Sequence, residues 1–316
     1  MTSVRRRWLI RGFVIVLIAG CGVAGFLVPR YVPIGRGFDA CAPLQQAARI
    51  ESCIADRGRT YLASHSLPAL ARTVDEMSKQ QWFYANCHQA MHAIVTPIGT
   101  RIGSRGGVLH SAGGNSTCAM GIAHGLMIGY LSSADESALR NFNITACPSS
   151  SSGSVNYETC VHSVGHTMYR KHVSLSASAD ICHRLAGAVA ARLGSGDSEH
   201  TAGTRAYVEC VGGIMMERTF ADRSRAASCP TLGASSQHTA FVDACVSYLP
   251  INMAYTNVSA KVMAAACLKQ SRTRAVLAYC ASTYASVVAR DSDCRFMKQA
   301  ASICASVRSL NKTVVM

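Results

Sequence analysis

The chain has 316 residues, 49% of them apolar and only 15% charged, and it contains 15 cysteines. This length and composition exclude a disordered tail and a small disulfide knot without a core of its own. The formal net charge is +14, but six of the 31 basic residues lie at or before Arg36. Beyond residue 40 no Lys/Arg run exceeds two and no basic stripe is interleaved with aromatics, so no nucleic-acid partner is expected.

The N-terminus reads as a targeting segment, and the domain division that follows is 1–30 and 31–316. Arg5, Arg6, Arg7 and Arg11 precede an uncharged run from Gly12 to Val28, closed by Pro29 and Arg30. Trp8 to Val28 spans 21 residues, the length of a membrane crossing, and the arginines would stay on the cytoplasmic side. The expectation is a transmembrane or signal helix in the inner or plasma membrane, with the bulk of the chain periplasmic or extracellular. Ile18, Ala19, Gly20 and Cys21 also match a lipoprotein box, which makes lipidation at Cys21 the alternative anchor.

Cysteine usage agrees with export. No Cys-x-x-Cys occurs, which removes the usual signature of zinc ribbons, thioredoxin-like centres and c-type haem attachment. Setting Cys21 aside leaves 14 cysteines, enough for seven bridges in an oxidising compartment.

In chain order, helical periodicity runs over Leu44–Cys53, Pro68–Met91, Met120–Tyr130, Val161–Tyr169, Ala179–Leu193, Tyr207–Thr219, Thr239–Met253, Ser259–Leu268, Arg274–Val288 and Cys294–Leu310. Turn composition fills Gly103–Thr117, Ser132–Asn156, Gly194–Gly203 and Ser224–Gln237. Alternating, strand-like segments are almost absent, so the expected class is mainly α.

Several of these segments begin alike. Cys118 to His124, Cys160 to His166 and Cys210 to Met216 each start with Cys, place a small residue three positions on, and place His or Met six positions on. Cys87 to His92 is a shorter variant, and Cys245 and Cys280 open degenerate copies. The starts are separated by 31, 42, 50, 35 and 35 residues, which suits helical hairpins stacked as an α-solenoid. The small residues would let neighbouring helices approach closely. A second cysteine series follows 19 to 22 residues after Cys160, Cys210 and Cys245, so bridges within hairpins, such as Cys160 to Cys182 and Cys245 to Cys267, are expected. In architecture the chain resembles the Sel1-like helical cysteine-rich repeat proteins. Its variable repeat lengths and its Cys-x-His start depart from theirs, and the resemblance carries over no functional residue.

Five of the 11 histidines fall in the repeat starts: His88, His92, His124, His162 and His166. His88 and His92 are four apart, as are His162 and His166, so on a helix each pair projects from one face, a spacing that suits metal ligation. With parallel stacking, His92, His124 and His166 would form a row along one surface, flanked by His88 and His162. The cofactor expected is a transition metal; imidazole without thiolate suits copper, iron, zinc or nickel. The zinc-protease helix is excluded, because Gln89 and Ser163 follow the first His of each pair where a glutamate base would stand. Glu217 could supply a carboxylate, though its expected place is an exposed helix surface. Tyr130, Tyr169, Met215 and Met216 are further candidates whose ordinary role is packing. His65, His110, His172, His183, His200 and His238 share no spacing.

The function read from these residues is an exported, membrane-tethered protein that binds a transition metal for oxidative or hydrolytic chemistry, or else carries the metal without catalysis. The alternative is a disulfide-stiffened α-solenoid that binds a protein or peptide, with the histidines merely packed.

Overall fold

The computed structural model describes residues 34–102, 117–147, 157–193, 199–233, 235–256, 258–288 and 291–315. The chain divides into two units at Ala40/Cys41. Of the first unit the described part is a short helix, α1 (Ile34–Asp39). The expected anchor at 8–28 and Cys21 lie outside the described residues; among those that are described, no helix is long and apolar enough to cross a membrane.

The second unit is helical, and among the described residues no strand occurs. Its helices are α2 (Ala47–Leu62), α3 (Leu67–Met77), α4 (Gln81–Ile102), α5 (Thr117–Tyr130), α6 (Glu136–Arg140), α7 (Tyr157–Arg170), α8 (Leu175–Leu193), α9 (Glu199–Ala221), α10 (Ser236–Ala254), α11 (Ala260–Gln270), α12 (Arg274–Val287) and α13 (Ala301–Val315). Local chemistry sets several starts. Ser66, Ser235 and Thr273 cap α3, α10 and α12 by accepting from the backbone N–H of Ala69, His238 and Val276. Asp135 does the same for α6, which interrupts a stretch expected to be turn throughout.

The single helix expected over Pro68–Met91 is two. The chain breaks at residues 78–80, so that Val74 and Met77 before the break and Phe83 and Cys87 after it are all buried. One continuous rod would present only part of that apolar set to the core.

Two helix pairs, α4 with α5 and α7 with α9, make the most extensive contacts, and α5 also packs on α7. Both pairs cross along residues repeated every four positions. On α5, Gly121, Gly125 and Gly129 lie against His88, His92 and Thr96 of α4: a Cβ at Gly121 would stand 2.8 Å from the His88 carbonyl oxygen, and one at Gly129 2.1 Å from that of Thr96. On α9, a Cβ at Gly213 would stand 2.0 Å from the His162 carbonyl oxygen of α7. The small residue three positions after the repeat cysteine thus seats the neighbouring helix at its first histidine. Larger side chains there would hold the axes apart.

All 14 cysteines after residue 40 are bridged, each to the next in sequence: Cys41–Cys53, Cys87–Cys118, Cys147–Cys160, Cys182–Cys210, Cys229–Cys245, Cys267–Cys280 and Cys294–Cys304. The expected bridges Cys160 to Cys182 and Cys245 to Cys267 are therefore wrong. The main partner of α7 is α9, not the sequence-adjacent α8, so Cys160 turns back to Cys147 while Cys182 crosses to Cys210. Five of the seven bridges, from Cys87–Cys118 to Cys267–Cys280, tie the start of a repeat to the element before it.

Candidate metal centre

The two helix pairs bring their histidine faces together. On α4, His88 and His92 are one turn apart; on α7, His162 and His166 repeat that spacing, and α5 contributes His124. All five imidazoles are buried, between 0% and 5% exposed. Eight of the ten ring pairs within the group have centroids 4.5 to 6.4 Å apart. The expected row along a surface is instead a compact interior cluster, because the two pairs face each other across the core.

One ligand nitrogen from each of His88, His92, His124 and His166 lies within 4.8 Å of the others, a group that can hold a metal ion. His124 Nδ1 and His88 Nε2 are 3.2 Å apart. Two nitrogens about 2.0–2.1 Å from one ion at angles between 90° and 110° sit about 2.9–3.4 Å apart, so this pair already has the separation of neighbouring ligands.

Carboxylates from α9 orient the α7 imidazoles. His162 Nδ1 is 3.0 Å from Glu209 Oε2, and His166 Nδ1 is 3.0 Å from Glu217 Oε1. Arg170 in turn donates to Glu217 from Nε at 2.8 Å. With the carboxylates accepting from Nδ1–H, each ring keeps its lone pair on Nε2, the arrangement found behind metal-ligating histidines. The Nε2 atoms of His162 and His166, and both ring nitrogens of His92, are buried without a hydrogen-bond partner. A buried polar nitrogen left unpaired costs about 1–3 kcal/mol; an ion shared by the cluster takes up one nitrogen of each ring it reaches and so relieves part of this deficit.

The electrostatics favour neutral ligands. Burial, with the neighbouring imidazoles adding to it, holds His92, His124 and His166 well below the ordinary histidine range. At neutral pH these rings carry lone pairs rather than second protons, as ligation requires. Burial pushes the Glu217 carboxyl up, while the Arg170 guanidinium opposes that shift.

Glu217 is 6% exposed and forms part of the cluster's support, so its expected place on an exposed surface is wrong. It faces inward because Glu209, Gly213 and Glu217 recur every four residues on α9, opposite His162, His166 and Arg170 at the same spacing on α7. That shared period was a readable signal for Glu209 and Arg170, which sequence reasoning missed. It also missed Tyr248, whose hydroxyl stands 3.4 Å from His162 Nδ1, and Tyr255, whose ring stacks at a tilt 5.8 Å from His88. Met215 and Met216 are core residues, and Tyr130 and Tyr169 are partly buried against that core. His65 stacks on Tyr61, His183 meets Tyr207 edge-on, and His238 contacts Ser176 and Gly233. His110 lies outside the described residues.

A cavity of about 270 Å3 adjoins the cluster, and His88 and His124 form part of its wall. No protein-family model, no curated protein and no solved structure matches the chain, so the geometry of this cluster carries the functional argument.

Proposed function

We propose that the protein is a metalloprotein in which His88, His92, His124 and His166 bind a transition metal ion, with His162 as a fifth imidazole at the edge of the same site. The observation that carries this reading is the gathering of four buried histidine nitrogens within 4.8 Å of one another. The unpartnered Nε2 atoms and the carboxylates behind His162 and His166 support it. All-imidazole ligation backed by carboxylates suits copper, iron or zinc.

The adjoining cavity favours a reactive centre, oxidative or hydrolytic, over a closed carrier shell. Seven bridges suit an oxidising compartment, and Trp8–Val28 is read as the membrane anchor that leaves the rest of the chain outside the cytoplasm. The recurring hairpins are read as a solenoid-like array pinned at each repeat by a disulfide.

Elemental analysis of the full-length chain, purified without added metal, tests the assignment. The expected result is about one or two equivalents of a transition metal, in line with the ligand count. The His92→Ala, His166→Ala double variant should lose it while keeping its helical circular dichroism. Unchanged stoichiometry in that variant ends the site assignment.

A further inference from the structure

The cavity beside the cluster has a definite chemistry. Three tyrosine rings, those of Tyr84, Tyr248 and Tyr255, line it together with the imidazoles of His88 and His124. Aliphatic side chains such as Ile251 and Val287 complete the wall, and among the described residues no Lys or Arg contributes to it. Its two carboxylates are already engaged: Glu158 accepts from Arg205 at 2.8 Å, and Glu209 is 3.0 Å from His162 Nδ1. An anion therefore finds no basic side chain in this wall, while a cationic guest would be repelled by an ion held at the histidine cluster. Tyr255 is 7% exposed, and its hydroxyl is buried without a hydrogen-bond partner. A buried polar group left unpaired beside the aromatic part of this wall calls for a ligand atom.

Size narrows the class further. An apolar cavity of about 150 Å3 holds benzene. The roughly 270 Å3 here is therefore suited to a one- or two-ring molecule.

We propose that this cavity binds a neutral aromatic small molecule that presents one nitrogen or oxygen donor to the metal at the histidine cluster and a hydrogen-bonding edge to the Tyr255 hydroxyl. The proposal rests on the metal reading above and deepens it. His88 and His124 belong both to the cluster and to the cavity wall, so a ligand in the cavity reaches the metal from that side. Aromatic walls favour an aromatic guest through edge and offset-stacked contacts, and burying its ring supplies the binding energy.

The test uses the full-length chain loaded with cobalt(II), whose visible bands report changes in coordination, titrated with 4-phenylimidazole and, separately, with imidazole. Saturable band shifts are expected with 4-phenylimidazole, at an affinity at least about tenfold above that of imidazole, because the phenyl ring adds buried apolar surface. Ala254→Phe narrows the cavity from its wall; it should keep its cobalt and bind 4-phenylimidazole at least about tenfold more weakly. Bound cobalt whose spectrum ignores 4-phenylimidazole, or equal affinity for the two azoles, overturns the cavity assignment and leaves the metal site standing. If Ala254→Phe loses its cobalt, the comparison of the two azoles on the unaltered chain decides alone. A chain that takes up no cobalt overturns the metal reading, and this proposal with it.

Discussion

Gly213→Ala isolates the contact that places the α7 histidines. The added methyl carbon would stand 2.0 Å from the His162 carbonyl oxygen and 3.0 Å from the His166 backbone nitrogen, where ordinary contact begins at 3.4 Å. The obstacle is backbone, so no side chain can rotate away and the two helices must separate by about 1 Å or more. Overpacking of this kind costs about 1–3 kcal/mol, and the rigid obstacle puts Gly213 near the upper end. Alanine recovers about 1 kcal/mol of helix propensity, so the expected net loss is about 2 kcal/mol. The same separation stretches the 3.0 Å contacts from His162 to Glu209 and from His166 to Glu217, which cross between α7 and α9. Metal affinity should fall together with stability. Gly187→Ala on α8 is the control: nothing stands within 4 Å of its added carbon, so it should gain about 0.5–1 kcal/mol. Urea unfolding with the disulfides intact, together with metal analysis, reads both effects. A Gly213→Ala protein as stable as Gly187→Ala, with its metal retained, would refute the close-approach reasoning.

Two further outcomes follow from the cluster. Glu217→Gln keeps the shape but removes the charge behind His166 and beside Arg170; metal affinity measured by chelator competition should drop about 10- to 100-fold, and an unchanged value would mean that the carboxylate does not tune the site. In the chelator-treated protein, His92, His124 and His166 stay neutral when folded but gain protons near pH 6.5 when unfolded. The unfolded chain then binds more protons, so stability is full above about pH 6.5 and declines as pH falls toward the lowered folded values, by at most about 1.4 kcal/mol per pH unit for each histidine. Urea midpoints that are equal at pH 7.5 and 5.5, or higher at 5.5, would contradict this assignment.

Local rules were legible in residue order. Apolar periodicity located the helices, the four-residue spacing of His88 with His92 and of His162 with His166 put each pair on one face, and the glycine three positions after Cys118 and after Cys210 marked a close crossing. The cysteine pairing was not legible, because spacing along the chain says how far apart two cysteines can be and not which neighbour a helix chooses. Once α7 lies on α9 rather than α8, Cys160 and Cys182 face different partners. Glu217 was misplaced for a related reason: a carboxylate on a helix is usually solvated, and only the arrival of His166 and Arg170 beside it compensates burial.

By itself, then, the sequence determined an α-helical chain, its export-compatible cysteine content, and the five histidines at the starts of its repeats. Only the tertiary structure decided that those histidines converge. Helical periodicity assigns a side chain to a face, but the partner of that face depends on which backbones can approach closely. Here the glycines of α5 and α9 admit α4 and α7 and turn two separate histidine faces into one buried cluster.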